Sequence, residues 1–271
     1  MSSLWNALLV QPLLNSLIFF YRVTGSLGWS IIILTLALRL LMTPLILPGL
    51  KLSKKMQELA PELSKLKDKY KNDKQGLVTA QAELYKQHGV NPASGCLPQL
   101  LQLFVLIALF SVLNMVLRSN GQPISEILNP NLYGFNQLSS SFQIDPGFLY
   151  LNLHQPDTFT LPGIPLPLPG LFLLLSALTQ LVSSVMMSPA ISAEKKVASQ
   201  TSGNSDDAMV EAQKQMTYIF PLMTLVIGYQ FPAGLVLYWT VFSLFSCVQQ
   251  YMVSGWGGLR PWLLKLNLIK S

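Results

Sequence analysis

The sequence predicts an all-α integral membrane protein: five transmembrane helices, a cytoplasmic helical hairpin and an N-terminal interfacial helix. Three observations carry this. The 271 residues are 51% hydrophobic and 11% charged, with mean hydropathy +0.42, whereas soluble domains carry about 25% charged residues. The apolar residues gather into stretches near the roughly 20 residues that cross a bilayer as a helix. The positive charge is one-sided, with nine lysines in residues 51–86 and no Lys or Arg in residues 119–169. Lys/Arg-rich segments stay cytoplasmic, so residues 51–90 and the C-terminus are expected inside and residues 119–169 outside.

Residues 1–25 are apolar with scattered Asn and Gln and carry Pro12. They show neither the basic start nor the small-residue cleavage site of a signal peptide. Trp5, Leu8, Leu9, Leu13, Leu17 and Phe20 approximate one helical face, which favours an interfacial helix on the outer surface. An extra span or an uncleaved signal anchor is the alternative. The first span occupies residues 26–50, and Pro44 and Pro48 are expected to kink or end it. Residues 51–90 read as the cytoplasmic hairpin. Leu52, Met56, Leu59, Leu63, Leu66 and Tyr70 repeat at spacings of four and three, Pro61 is placed to open a new helix, and Val78, Ala82 and Tyr85 form a second, shorter stripe. Its lysines read as a solvated face or as a contact surface for anionic lipid headgroups or a ribosome-type partner.

A Gly/Asn/Pro break leads to the second span, residues 96–118. Residues 119–169 form the outer loop, rich in Pro, Asn, Ser and aromatics, with an expected interfacial piece near Phe148. The third span is residues 170–188, the second cytoplasmic loop 189–214, the fourth span 215–229 and the fifth 233–254. Residues 255–271 are a basic cytoplasmic tail whose Trp256 and Trp262 suit the membrane interface. Cys96 and Cys247 lie far apart and read as small buried residues. No internal repeat of the inverted-transporter kind is visible.

The chemistry centres on Arg39. None of the five spans contains Asp, Glu, His or Lys, and Arg39 is the one charged residue within their apolar stretches, Arg118 standing at the very end of the second. An arginine near the bilayer centre costs about 2.5–3.5 kcal/mol on insertion scales. Eleven residues after Gly28, it lies roughly 17 Å down the axis, slightly to the cytoplasmic side of the midplane. With no acid in any span to offset that charge, Arg39 calls for water, polar side chains or an arriving partner. Gln102, Thr179, Gln180, Ser183, Ser184, Ser243, Ser246 and Gln249 would line a wet cavity if their faces converge, or would simply hydrogen-bond helix to helix. Intramembrane catalysis is not expected: His88 and His154 lie outside the spans, no acid pair or metal-ligand cluster exists, and no phosphate loop is present. No cofactor, and no nucleic acid as a direct partner, is expected either. The pattern suits a binding surface for anionic groups. A small-anion channel or transporter, and a structural assembly factor, are the rival readings.

Four blocks carry a family resemblance: GWSIIILTLALRLLMTPL at residues 28–45, KMQELAPELSKLKDKYKND at 55–73, ELYKQHGVNPASGCLPQLLQL at 83–103 and FPAGLVLYWTVFSLFSCVQQY at 231–251. Together they resemble the YidC/Oxa/Alb family of membrane protein insertases, in order and over nearly the whole chain. The resemblance implies a five-span core, a cytoplasmic hairpin after the first span, and a polar groove open to cytoplasm and lipid but closed outside. It implies that Arg39 is the groove arginine and that Gln102, Gln180 and Trp239 fall at matching places. Ser243 stands where bacterial relatives often carry Asn in LYW-x-x-x-N. The expected groove residues are thus Arg39, Gln102, Gln180, Ser184, Trp239, Ser243 and Ser246. The implied partners are nascent membrane proteins, the lipid bilayer, and a ribosome or a Sec translocon.

Overall fold

The computed structural model describes residues 3–70, 73–90, 96–117, 123–163, 167–187, 217–219 and 221–269. The second cytoplasmic loop expected at 189–214 lies outside them. The helices are α1 (Gln11–Thr24, entered through a π-helical turn at Asn6–Val10), α2 (Leu27–Lys69), α3 (Lys74–Gln87), α4 (Cys96–Leu117), α5 (Ile124–Leu128), α6 (Leu171–Met187), α7 (Thr217–Gly228, residue 220 apart), α8 (Ala233–Ser254) and α9 (Arg260–Lys265). Three stretches are long and apolar enough to cross a membrane: Asn6–Thr24, Leu27–Leu66 and Ala233–Ser254. The apolar helices Gln102–Leu117, Leu171–Met187 and Thr217–Gly228 are shorter. The first of the long ones falls within the segment expected to be interfacial, and its 19 residues reach the length of a span. Leu41, Leu45, Leu171, Leu178, Leu222 and Met252 are exposed. In water such surfaces would be a liability; in lipid they meet a solvent of their own kind.

The chain divides into two units. The first comprises Met1–Met42, Leu100–Leu178 and Met223–Ser243. Its core joins Leu14 and Leu17 of α1, Ile31 of α2, Leu109 and Leu113 of α4, and Leu237 of α8, all essentially inaccessible. Gly25 ends α1 in the left-handed region (φ 68°), its N–H donating to the Tyr21 carbonyl, a conformation that glycine adopts without a Cβ penalty. The connection between α4 and α6 is tied to α1 by polar contacts. Asn15 is buried; its amide donates to the Asn131 carbonyl and its oxygen accepts from the Tyr133 N–H and the Asn136 amide. Arg22 donates to the carbonyls of Phe135 and Gln137.

The same connection caps two helices. Within the expected interfacial piece near Phe148, β1 (Gly147–Phe148) pairs antiparallel with β2 (Leu151–Asn152), a two-residue turn closing the chain into a hairpin. A second pair joins β3 (Thr158–Phe159) to β4 (Leu168–Pro169). The carbonyls of Leu153 and Gln155 then accept from Gly234 and Ala233 at the start of α8 (3.1 and 2.7 Å). At the start of α6, the buried Asp157 carboxylate accepts from Leu173 N–H (2.8 Å), and the Tyr150 hydroxyl accepts from Phe172 N–H (3.1 Å) while donating to Asp157 (3.0 Å). Burial, and then the Asp157 charge, push the Tyr150 phenol above its ordinary range, so it remains a donor. These groups satisfy N–H donors that a helix leaves orphaned at its first turn.

The second unit comprises Thr43–Gln99, Thr179–Leu222 and Leu244–Ser271. Here the end of α6 is closed. Gln57 donates to the carbonyls of Met186 and Met187, Ser53 donates to Met187, and Gln250 donates to Met186. Gly257 (φ 48°) passes so close that a Cβ would collide with the Met186 carbonyl oxygen. Two expectations are corrected. Pro44, Pro48 and Pro61 all lie inside α2, whose 43 residues run about 65 Å at 1.5 Å each. Each proline frees only the carbonyl four residues before it, and neighbouring groups re-satisfy such carbonyls within a bundle. Prolines are tolerated inside membrane helices for this reason. In α3 the better-covered face is Leu77, Gln81 and Leu84; Val78 and Ala82 are exposed. At the start of α3 the Asp73 side chain accepts from Gly76 N–H.

Asp157→Ala should lower the thermal unfolding midpoint in detergent by several degrees, since it orphans the Leu173 N–H and the Tyr150 hydroxyl, at about 1–3 kcal/mol. Asp157→Asn, which keeps an acceptor oxygen, should lose less. An unchanged Ala midpoint would show that the cap contributes nothing.

Candidate functional site

Arg39 lies on α2 one turn after Thr35, and both are buried. Four-residue spacing puts them on one helical face. The Thr35 hydroxyl donates to its own helix at Ile31 (2.6 Å), which leaves its lone pairs toward the cavity. From α4 comes Gln102; from α8 come Tyr238 and Phe242, again one turn apart. With Leu38, Met42 and Val105 these side chains line one cavity of about 10 Å³, close to the room one water requires.

The contacts within it are specific. The Arg39 guanidinium carbon sits 3.5 Å from the centroid of the Phe242 ring. Its Nη2 donates to the Phe242 carbonyl at 3.2 Å. The Gln102 amide donates to the Tyr238 hydroxyl at 3.4 Å, and the Tyr238 and Phe242 rings are 5.7 Å apart. Phe242 therefore meets the charge twice, with its ring face and with its backbone dipole. A helical carbonyl has a second lone pair for such a donor. A cation over an aromatic face is worth about 0.5–1 kcal/mol when exposed and about 2 kcal/mol when desolvated.

The structure thus brings Arg39 and Gln102 together. Trp239 packs elsewhere in the same unit, edge-on to Phe231 at 5.6 Å, with Phe231 edge-on to Phe110. Ser243 is buried but is not part of the cavity lining. Gln180, Ser184 and Ser246 belong to the second unit, where Gln180 is buried and the two serines are half-buried. In that unit Gln249 donates to the Thr43 hydroxyl at 2.7 Å, and the Cys247 thiol donates to the Thr179 carbonyl. Sequence reasoning missed Thr35, Tyr238 and Phe242. The four-residue step from Thr35 to Arg39 was an available signal. Nothing in the sequence marks Phe242, which reads as one more apolar residue of a span. Among the described residues no cluster of His, Cys, Asp or Glu could hold a metal ion.

The 60Kd inner membrane protein family matches this chain over residues 19–257. The chain is similar to the membrane protein insertase YidC of Fusobacterium nucleatum, with 36% identity over 86% of this chain and 88% of that protein. It is similar to the membrane protein insertase YidC 1 of Halalkalibacterium halodurans, with 29% identity over 93% and 79%. With the YidC of Geobacter sulfurreducens it shares 30% identity over 92% of its own length but only 38% of that longer protein.

Arg39→Met should leave the thermal unfolding midpoint in detergent unchanged or higher. It gives up contacts that include the Phe242 carbonyl and ring but removes a buried charge, and apolar replacement of buried charged groups is often neutral or stabilising. A drop of many degrees would make Arg39 a structural linchpin.

Proposed function

The chain belongs to the 60Kd inner membrane protein family, the YidC/Oxa/Alb insertases, and on that premise we propose that it is a membrane protein insertase. The observation that carries the proposal is a buried arginine in a cavity that it shares with Gln102 and Tyr238, in a first span that holds no other charge. An unreplaced guanidinium in apolar surroundings costs free energy; a site that recruits anionic groups from the cytoplasm uses that cost.

In this reading an incoming chain brings a polar or acidic N-terminal segment to Arg39. The polar side chains of the five spans, Gln102, Gln180, Ser184, Trp239, Ser243 and Ser246 among them, form the rest of the groove and thin the apolar barrier. The hydrophobic segment then leaves sideways into lipid, driven by about 25 cal/mol per Å² of apolar surface removed from water. A potential positive outside assists an acidic segment by about 2.3 kcal/mol per charge per 100 mV. The N-terminus lies outside and the C-terminus in the cytoplasm. No bond is made or broken, so the protein is not an enzyme, and it needs no cofactor. The hairpin carrying the lysines of residues 51–86 receives the substrate, from a ribosome or alongside a Sec translocon.

The test is protease-protected insertion of a single-span substrate with an acidic translocated tail into proteoliposomes. Arg39→Ala should lower insertion about tenfold, a loss of ~1.4 kcal/mol, while Arg39→Lys retains most of it. Full activity in the Ala variant would sink the electrostatic mechanism. Saturable anion flux through the same liposomes, without insertion, would point instead to a transporter.

A further inference from the structure

Phe242 supplies both faces of the Arg39 environment contributed by α8: the ring at 3.5 Å and the backbone carbonyl at 3.2 Å. We propose that Phe242 is a positioning residue that holds the Arg39 guanidinium flat and stationary at the cavity, and thereby sets how strongly the protein prefers acidic over uncharged translocated segments. The proposal rests on the reading of Arg39 as the group that attracts those segments.

Three features of the site favour positioning over simple packing. First, stacking engages the face of a guanidinium and uses none of its five N–H donors, whereas a carboxylate binds along an edge through two of them. Phe242 thus holds Arg39 by its face and by one donor, Nη2, and the stacking part of the contact engages none of the others. Second, the shelf is itself fixed. Tyr238 lies one helical turn before Phe242 with its ring 5.7 Å away, and its hydroxyl accepts from Gln102 across from α4. Tyr238 is essentially inaccessible, so a line of contacts runs Gln102, Tyr238, Phe242, Arg39. Third, an aliphatic side chain would fill the space and bury as much apolar surface as the ring, but would offer the cation no negative face. Arginine is a long side chain with much rotamer entropy to lose when it binds. Restraint before the substrate arrives removes that loss from the binding step, which is how preorganisation raises affinity.

The experiment compares insertion of two substrates that differ only in the translocated tail, one acidic and one uncharged, by wild type, Phe242→Leu, Phe242→Tyr and Arg39→Ala in proteoliposomes. Phe242→Leu should cut acidic-tail insertion about fivefold, the factor for one cation–π contact of ~1 kcal/mol, and leave the uncharged tail unchanged. Phe242→Tyr should restore the preference. In the Arg39→Ala background, Phe242→Leu should have no further effect. An equal fall on both tails, or equal behaviour of Leu and Tyr, would overturn the inference while leaving the Arg39 mechanism standing if Arg39→Ala is still selective. Equal insertion by wild type and Arg39→Ala would overturn both. If Phe242→Leu does not fold, Phe242→Met in the same double-mutant comparison gives the same readout.

Discussion

Backbone groups that cannot reach water must find partners inside the protein, and this constraint shapes the structure around α6 and the start of α8. The start of α6 is met by Asp157 and Tyr150, and the start of α8 by the carbonyls of Leu153 and Gln155. The end of α6 is met by Ser53, Gln57 and Gln250. Over its described residues α6 runs 17 residues, or about 26 Å, close to the ~30 Å hydrocarbon layer.

The same rule governs Arg39. A guanidinium carries five donors and a charge, and in a bundle without a carboxylate in its spans it must draw on weaker acceptors. The backbone carbonyl and ring of Phe242 are such acceptors, and the cavity beside them has room for about one water. The ring and the carbonyl of Phe242 hold the guanidinium without drawing on a carboxylate.

Some of this was legible in the chain and some was not. The helical, membrane-embedded class followed from composition, and Arg39 stood out because a charge inside an apolar stretch is rare for an energetic reason. Gln102 was named from its polarity within a span, and it lies with Arg39. Phe242 and Tyr238 escaped because an aromatic in a span has no sequence signature that separates lipid-facing, core and cation-binding roles. The prolines of α2 misled because local backbone chemistry argues for a break, while within a membrane bundle neighbouring groups re-satisfy the carbonyls that a proline frees. In α3 the covered face begins at Leu77 where Val78 was expected, a one-residue difference that a stripe of three residues could not resolve.

The sequence by itself determined what kind of solvent this protein lives in and which residue is energetically anomalous there, because both follow from transfer free energies that depend on side-chain type alone. Only the tertiary structure decided what Arg39 rests on, which polar residues share its cavity, and how the chain between α4 and α6 caps two helices. Those depend on which of several chemically equivalent groups, distant in sequence, are brought within hydrogen-bonding reach. Spacing along one helix cannot specify a contact across 203 residues, such as that from Arg39 to Phe242.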